Sequence, residues 1–297
     1  MDIIHFDVDT ELQKYLKGDV RAESLQQIVG REEFLHINCI SIKSGSKADK
    51  DVLSLFPSLH LLITRTVGTD HIDLDYCRKR GIEVKNILDY GAFNIAEHVF
   101  ALLLAGTRNI LSTQSEIRSG KFTYKGHLSI ALKEKTLGVV GTGRIGLEVI
   151  ARAKAFGMTV IAYDVIQNKK AQEELGYEYV ELEKLAGESD IITLHAPFLE
   201  STHHIINEKI ISTMKDGAVL INTARGELID TEALVKHISK FRFVGLDVLE
   251  GEKTFSNDHP LLKFENVVIT PHVAFYSDAS VKKIAEETMR IISEFTE

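Results

Sequence analysis

The chain has no tryptophan, four prolines and two cysteines among 297 residues. Cys39 and Cys77 are too few for a disulfide framework and lack the paired spacing of a zinc site, so a reducing, cytoplasmic setting is expected. With so little proline and no Gly/Pro-rich or low-complexity stretch, a fibrous or linker-dominated chain is excluded. Basic residues are also in deficit. Lys+Arg number 35 against 43 Asp+Glu, a net charge of −8, and no basic cluster is long enough to follow a phosphate backbone, which excludes nucleic acid as a partner. Membrane spans are excluded as well, because the most apolar run, Val99 to Ala105, falls far short of the ~18 residues required. Ile3 and Ile4 beside Asp2 and Asp7 make neither a basic n-region nor an apolar h-region. An acidic protein repels anions on average, so a carboxylate substrate would need local positive charge, and an arginine is the residue to look for.

What is present is a length that exceeds one hydrophobic core, 44% hydrophobic residues, and a repeated alternation of strand and helix signals. Asp2 to Phe6, His36 to Ile42 and Leu59 to Thr64 read as strands, and Asp73 to Arg80 reads as a helix stopped at Gly81. A long apolar helix follows over Asn94 to Ile110. A second series then carries strands at Thr136 to Val140, Met158 to Tyr163, Ile191 to His195, Ala218 to Asn222, Phe243 to Asp247 and Val267 to Ile269. Helices at Ile145 to Phe156, Glu208 to Met214 and Thr231 to Ser239 separate these strands, and Asp278 to Phe295 forms a last amphipathic helix. This pattern predicts an α/β protein of two doubly wound parallel-sheet domains with a cleft between them. Residues 1–98 with 273–297 would form one domain and 99–272 the other. The apolar helix suggests a homodimer, although a helix buried within one chain would read identically.

Gly141-Thr142-Gly143-Arg144-Ile145-Gly146 follows a strand directly and opens a helix, the context in which G-x-G-x-x-G signals a dinucleotide site. The first glycine permits the tight turn, the second lets backbone approach a pyrophosphate, and the third lets helix and strand pack closely. The helix N-terminus adds free amides and partial positive charge, and Arg144 adds a full charge. Asp164 ends the next strand, 18 residues beyond Gly146, where a carboxylate accepts from ribose hydroxyls and repels a 2′-phosphate. Lys169 and Lys170 stand too far along to compensate, so NAD is the expected cofactor.

Asn222-Thr223-Ala224-Arg225-Gly226, Gly245-Leu246-Asp247-Val248 and Thr270-Pro271-His272 follow one another in the order of a known fingerprint. Over essentially its whole length the chain resembles the D-2-hydroxyacid dehydrogenase family. His272-Val273-Ala274-Phe275-Tyr276 and Tyr90, ahead of Asn94-Ile95-Ala96-Glu97-His98, are most similar to its D-lactate dehydrogenase branch. Arg65-Thr66-Val67-Gly68-Thr69-Asp70-His71-Ile72-Asp73 is similar to the family's substrate-carboxylate loop.

The resemblance implies a Rossmann-type cofactor domain, a flavodoxin-like substrate domain, and NAD-dependent interconversion of a D-2-hydroxy acid, D-lactate first, with its 2-keto acid. Such a reaction needs a cation for the carboxylate and a proton donor for the carbonyl oxygen. Arg225 can bind a carboxylate bidentately, and His272, with an unperturbed pKa near 6.5, can give and take a proton. A carboxylate hydrogen-bonded to His272 would favour its protonated form and fix its orientation. On spacing alone Glu250 and Glu252 compete for that place, and the family pattern selects Glu252, five residues past Asp247. The resemblance further places Thr223, Ala224 and Asp247 on the cofactor, Asp247 at the nicotinamide carboxamide, with His195 and Pro197 near the nicotinamide ribose. It places the amides of Val67 and Gly68 on the substrate carboxylate, and Tyr90, Phe275 and Tyr276 around the substrate.

His203-His204 invites a metal reading, but adjacent strand residues point to opposite faces and Glu200 and Glu208 complete no ligand spacing, so no metal is expected. Two alternatives stand beside D-lactate. One is a family member acting on glycerate, phosphoglycerate or a bulky 2-keto acid, although no extra cationic pair is evident for a phosphate. The other is an NAD-sensing binding protein that keeps the fold without turnover.

Overall fold

The computed structural model describes residues 2–30, 34–88 and 90–296. The chain divides into two compact units, Met1–Gly91 with Tyr276–Glu297, and Ala92–Phe275.

In the first unit five parallel strands, β1 (Ile3–His5), β2 (Asp19–Val20), β3 (Cys39–Ile42), β4 (Leu61–Thr64) and β5 (Glu83–Asn86), lie in the order β2-β1-β3-β4-β5. This is the flavodoxin-like order. β3 and β4 are buried at every position, as central strands covered on both faces must be. β5, at the edge, alternates exposed and half-buried residues, and its charged Glu83 and Lys85 hid it from the sequence reading. Phe6, Phe34 and Phe56 meet at ring separations of 5.1–6.2 Å within the core. Asp73 caps the helix Leu74–Arg80 by accepting from the Tyr76 amide, and Gly81, at φ +71°, ends it. The helix Asp278–Thr296 buries Val281, Ile284, Ala285, Ile291 and Ile292 along one stripe.

In the second unit seven parallel strands, β6 (Thr136–Val140), β7 (Thr159–Tyr163), β8 (Glu178–Tyr179), β9 (Ile191–Leu194), β10 (Ala218–Asn222), β11 (Phe241–Leu246) and β12 (Val267–Ile269), lie in the order β12-β11-β10-β9-β6-β7-β8. Alternate residues feed two cores: Val219 and Ile221 of β10 join the helices Ala92–Thr107 and Arg144–Ala155, whereas Ala218 and Leu220 join Leu182–Glu188, Glu208–Thr213 and Thr231–Lys236. Both faces are therefore covered, as a doubly wound parallel sheet requires.

One expected helix differs. The run from Asn94 to Ile110 is a helix over Ala92–Thr107 that ends before Asn109, whose backbone is left-handed at φ +57°, and a separate helix follows over Ile110–Arg118. Ala96, Val99, Phe100, Leu102 and Leu103 pack into the second unit's own core, so the apolar run is explained within the chain. That packing carries the whole helix into the second unit, which begins at 92 where 99 was expected. The helix Ile110–Arg118 buries no residue. No helix among the described residues is long and apolar enough to cross a membrane.

Candidate active site

β6 ends at Val140, and the chain turns at once through Gly141 at φ +96°. A Cβ on Gly141 would stand 2.6 Å from the Ala196 amide nitrogen and 2.7 Å from the His195 carbonyl carbon. The turn thus lies against the loop after β9, the neighbour of β6 at which the strand order reverses, which is where open α/β sheets bind ligands. A Cβ on Gly146 would stand 2.1 Å from the Gly141 oxygen, so this glycine sets the helix onto the turn. Gly143 caps the helix Arg144–Ala155 with no side-chain hydrogen bond, and a Cβ there would meet nothing within 4 Å. The turn is therefore open at Gly143, and the helix N-terminus that follows, at Arg144 and Ile145, suits a pyrophosphate.

Two further observations fit a dinucleotide. Among the described residues, His195 Nδ1 and Thr223 Oγ1 are buried with no hydrogen-bond partner. Burial pushes the His195 imidazole down to about 3, so it is neutral, and its Nε2 lies 2.9 Å from Thr193 Oγ1. Pro197 follows in the same loop, its carbonyl accepting from Thr202 Oγ1 at 2.7 Å. Asp164, just past β7, accepts from the Thr142 amide at 2.6 Å and the Thr142 hydroxyl at 3.0 Å on Oδ2, and from the Ile166 amide on Oδ1.

The loops after β10, β11 and β12 bring the ionisable residues along the same edge of the sheet. Asn222, the last residue of β10, accepts from the Ala224 amide at 3.0 Å and donates to the Arg225 carbonyl at 2.7 Å, folding Thr223 to Arg225 into a tight turn. Arg225 donates to the Ala224 carbonyl. A Cβ on Gly226 would fall 1.9 Å from the Leu249 carbonyl carbon and 2.1 Å from the Glu250 amide nitrogen, so only glycine lets this turn rest on the loop that carries Glu252. His272 Nδ1 lies 2.8 Å from Glu252 Oε1. Burial alone would raise the Glu252 carboxyl, but the hydrogen bond and charge of His272, with the charge of Arg225, outweigh it and hold it below the usual range. Glu250, indistinguishable on spacing, pairs instead with His204 Nε2 at 2.7 Å.

The comparisons with known proteins point the same way. The family model described as D-isomer specific 2-hydroxyacid dehydrogenase, NAD binding domain, matches residues 100–274. The chain belongs to the D-isomer-specific 2-hydroxyacid dehydrogenase family. It is 39% identical over 287 residues to a glyoxylate reductase of Thermococcus litoralis, covering 94% of this chain and 84% of that one. A hydroxypyruvate reductase of Thermotoga maritima is 36% identical over 292 residues, covering 96% and 94%. Among solved structures, D-lactate dehydrogenase from Aquifex aeolicus, complexed with NAD and lactic acid, superposes with a TM-score of 0.90 at 38% identity, covering 99% of this chain and 95% of that one. The cofactor of this dehydrogenase family is NAD, and the glycine turn and its surroundings fit it.

Asp247, expected at the nicotinamide carboxamide, has a fully buried side chain. Oδ1 accepts from Thr270 Oγ1 at 2.5 Å and the Val273 amide at 3.0 Å, with His98 Nε2 3.4 Å away, while Oδ2 accepts from the Ala274 amide at 2.9 Å. His98 Nε2 also lies 3.0 Å from Thr270 Oγ1. These bonds clamp the backbone around His272, which holds a left-handed φ of +53°. Burial would raise the Asp247 carboxyl, but His98, Thr270 and the two amides outweigh it and hold it low. Thr270, His98 and Asn222 hold these turns through contacts that sequence reasoning missed. An asparagine closing a strand two residues before an alanine amide was a readable signal for an Asx turn; His98 lay in a stretch that resembled the family, but nothing there pointed to its contact with Thr270.

The remaining residues lie in the first unit or beside His272. The carbonyls of Thr66, Val67 and Gly68 accept from the Ile87 amide, Asn86 Nδ2 and Thr66 Oγ1. Because the peptide bonds are trans, the amides of Val67 and Gly68 point away from these partners. Arg65 turns inward instead, its guanidinium donating to Ser41 Oγ and the carbonyls of Phe6 and Asp7. Tyr90 is buried, with its carbonyl accepting from Ser280 Oγ. The Phe275 ring stands edge-on to His272 at 6.2 Å, and the Tyr276 ring lies 5.7 Å from Lys43 Nζ. His203 and His204, expected on opposite faces, are stacked at 3.8 Å because His204 adopts φ +50°, and with Glu250 they form a His-His-Glu group. The His204 Nε2 contact with Glu250 Oε1 is 2.7 Å.

Proposed function

We propose that the protein reduces pyruvate to D-lactate and catalyses the reverse oxidation, with Arg225, Glu252 and His272 as its catalytic residues. The observation that carries this reading is the 2.8 Å contact between His272 Nδ1 and Glu252 Oε1, formed by residues 20 apart in sequence and within the field of Arg225. With Nδ1 committed to Glu252, the proton to be exchanged sits on Nε2, which donates it to the keto oxygen on reduction and takes it from the hydroxyl on oxidation. Arg225 binds the carboxylate and polarises the carbonyl. NADH, when bound, supplies the hydride. Val67 and Gly68 offer amides to the carboxylate, and Tyr90, Phe275 and Tyr276 are assigned to the substrate side chain.

The structural likeness to a lactate-bound dehydrogenase supports D-lactate. The sequence relatives named glyoxylate and hydroxypyruvate reductases support a second reading, reduction of those acids. Purified protein with NADH and pyruvate, hydroxypyruvate, glyoxylate or 2-ketoisocaproate separates the two. Pyruvate is expected to give the highest kcat/KM; a higher value for another acid overturns the D-lactate assignment alone. Absence of NADH oxidation with every acid would favour an NAD sensor.

We also propose that the chain pairs with a second copy through residues 110–128. The helix Ile110–Arg118 buries nothing, and Phe122, Tyr124 and Leu128 are 95%, 85% and 83% exposed. Sedimentation at micromolar concentration should give a dimer, and a monomer overturns the pairing. Two buried free thiols suit a cytoplasmic location.

A further inference from the structure

Asp164 is held by a chain of hydroxyl groups whose direction follows from donor counting. Its carboxylate only accepts, so Thr142 Oγ1 gives its single proton to Asp164 Oδ2. The Thr142 oxygen, 2.7 Å from the Tyr179 hydroxyl, must then accept from Tyr179. Having spent its proton there, Tyr179 accepts the Asn168 amide at 2.9 Å and the Tyr177 hydroxyl at 3.0 Å. Burial, then the bond to Tyr179, push the Tyr177 phenol up, so it keeps the proton it donates. Each proton has one place to go: Tyr177 to Tyr179, Tyr179 to Thr142, Thr142 to Asp164. Such chains strengthen each link in a low-dielectric setting.

The arrangement acts on the carboxylate's acceptor positions. Oδ2 takes the Thr142 amide and hydroxyl, and Oδ1 takes the Ile166 amide, which leaves one acceptor on Oδ1. A ribose 2′-hydroxyl has a proton for that position; a 2′-phosphate brings only acceptors and negative charge. The same Tyr179 hydroxyl ties down Asn168, the cap of the helix Lys169–Leu175 and the end of the turn after Asp164.

We propose that Tyr179 is a positioning residue for cofactor selectivity, acting through Thr142 to present the Asp164 carboxylate to NAD and against NADP. This inference rests on Asp164 as the ribose-binding carboxylate. The test is equilibrium binding of NADH and NADPH, read from nucleotide fluorescence in a protein without tryptophan. Tyr179→Phe should raise the Kd for NADH by about 3- to 10-fold, the range of one hydrogen bond, and leave NADPH nearly unchanged, so that the ratio of the two Kd values falls by that factor. Thr142→Val breaks the chain one link nearer the carboxylate and should lower the ratio likewise, which keeps the test available if the tyrosine variant does not fold. Equal weakening of both nucleotides, the signature of a merely structural tyrosine, overturns the proposal. So does an unchanged ratio in either variant. Asp164→Ala separates the premise from the inference: if it leaves the ratio intact, the ribose assignment fails; if it collapses the ratio while Tyr179→Phe and Thr142→Val do not, the hydroxyl chain alone is refuted.

Discussion

Asp247→Asn removes one charge and one acceptor from the clamp around His272 while preserving shape. In the native protein the carboxylate takes the Thr270 hydroxyl and the Val273 amide on one oxygen and the Ala274 amide on the other. An asparagine whose oxygen keeps the first pair turns an NH2 group toward the Ala274 amide, leaving a buried donor unsatisfied at a cost of about 1–3 kcal/mol. The left-handed backbone at His272 stores about 1–3 kcal/mol of its own, which the weakened clamp no longer offsets. If about 1.4–2.7 kcal/mol of this falls on the placement of the imidazole, the productive conformer drops to roughly a tenth to a hundredth, and kcat falls 10- to 100-fold. Steady-state kinetics with NADH and the best keto acid, beside NADH binding by fluorescence, read the two effects separately. We expect the NADH Kd to stay within about three-fold. A Kd raised tenfold or more with kcat within a factor of two would refute the clamp and place the main role of Asp247 at the nicotinamide carboxamide.

Replacing the proton donor in His272→Gln should lower kcat by ~10²-fold or more with NADH binding nearly intact; unchanged turnover removes His272 from the reaction. Gly226→Ala drives a Cβ into the backbone at Leu249 and Glu250, so we expect about 1–3 kcal/mol lost in urea unfolding together with at least a tenfold loss of kcat/KM, and a silent substitution would deny the close approach. Burial lowers His5 to about 4 and His195 to about 3, below the 6.5 of an unfolded histidine. The unfolded chain therefore takes up protons first as pH falls through 6.5, while the folded chain does not. Stability is full above that pH and declines from 6.5 toward 4, by about 2 kcal/mol per histidine at pH 5, which urea unfolding at pH 7 and pH 5 will measure. Equal stability at the two values would show that these imidazoles are not buried neutral.

The alternation of apolar runs with helical stretches was enough to read both parallel sheets, because strands covered on two faces are buried at every position and so are mostly apolar, as Cys39–Ile42 and Ala218–Asn222 are. Of the edge strands, Glu83–Asn86 and Glu178–Tyr179 escaped that reading, because they are short, polar, and stabilised by pairing with a neighbour rather than by their own pattern. The glycine turn and Asp164 were legible in the chain because they act through local geometry: a turn, a helix end, a strand end. The candidate catalytic residues were legible only as types in order. Sequence spacing could not separate Glu250 from Glu252, and a left-handed backbone at His204 and His272 decided where those imidazoles point. The commitment of Asp247 to the His272 turn, and the path of protons from Tyr177 to Asp164, exist only because strands distant in sequence lie side by side. A hydrogen bond depends on angle and a few tenths of an ångström, and no linear pattern of residue types carries that information.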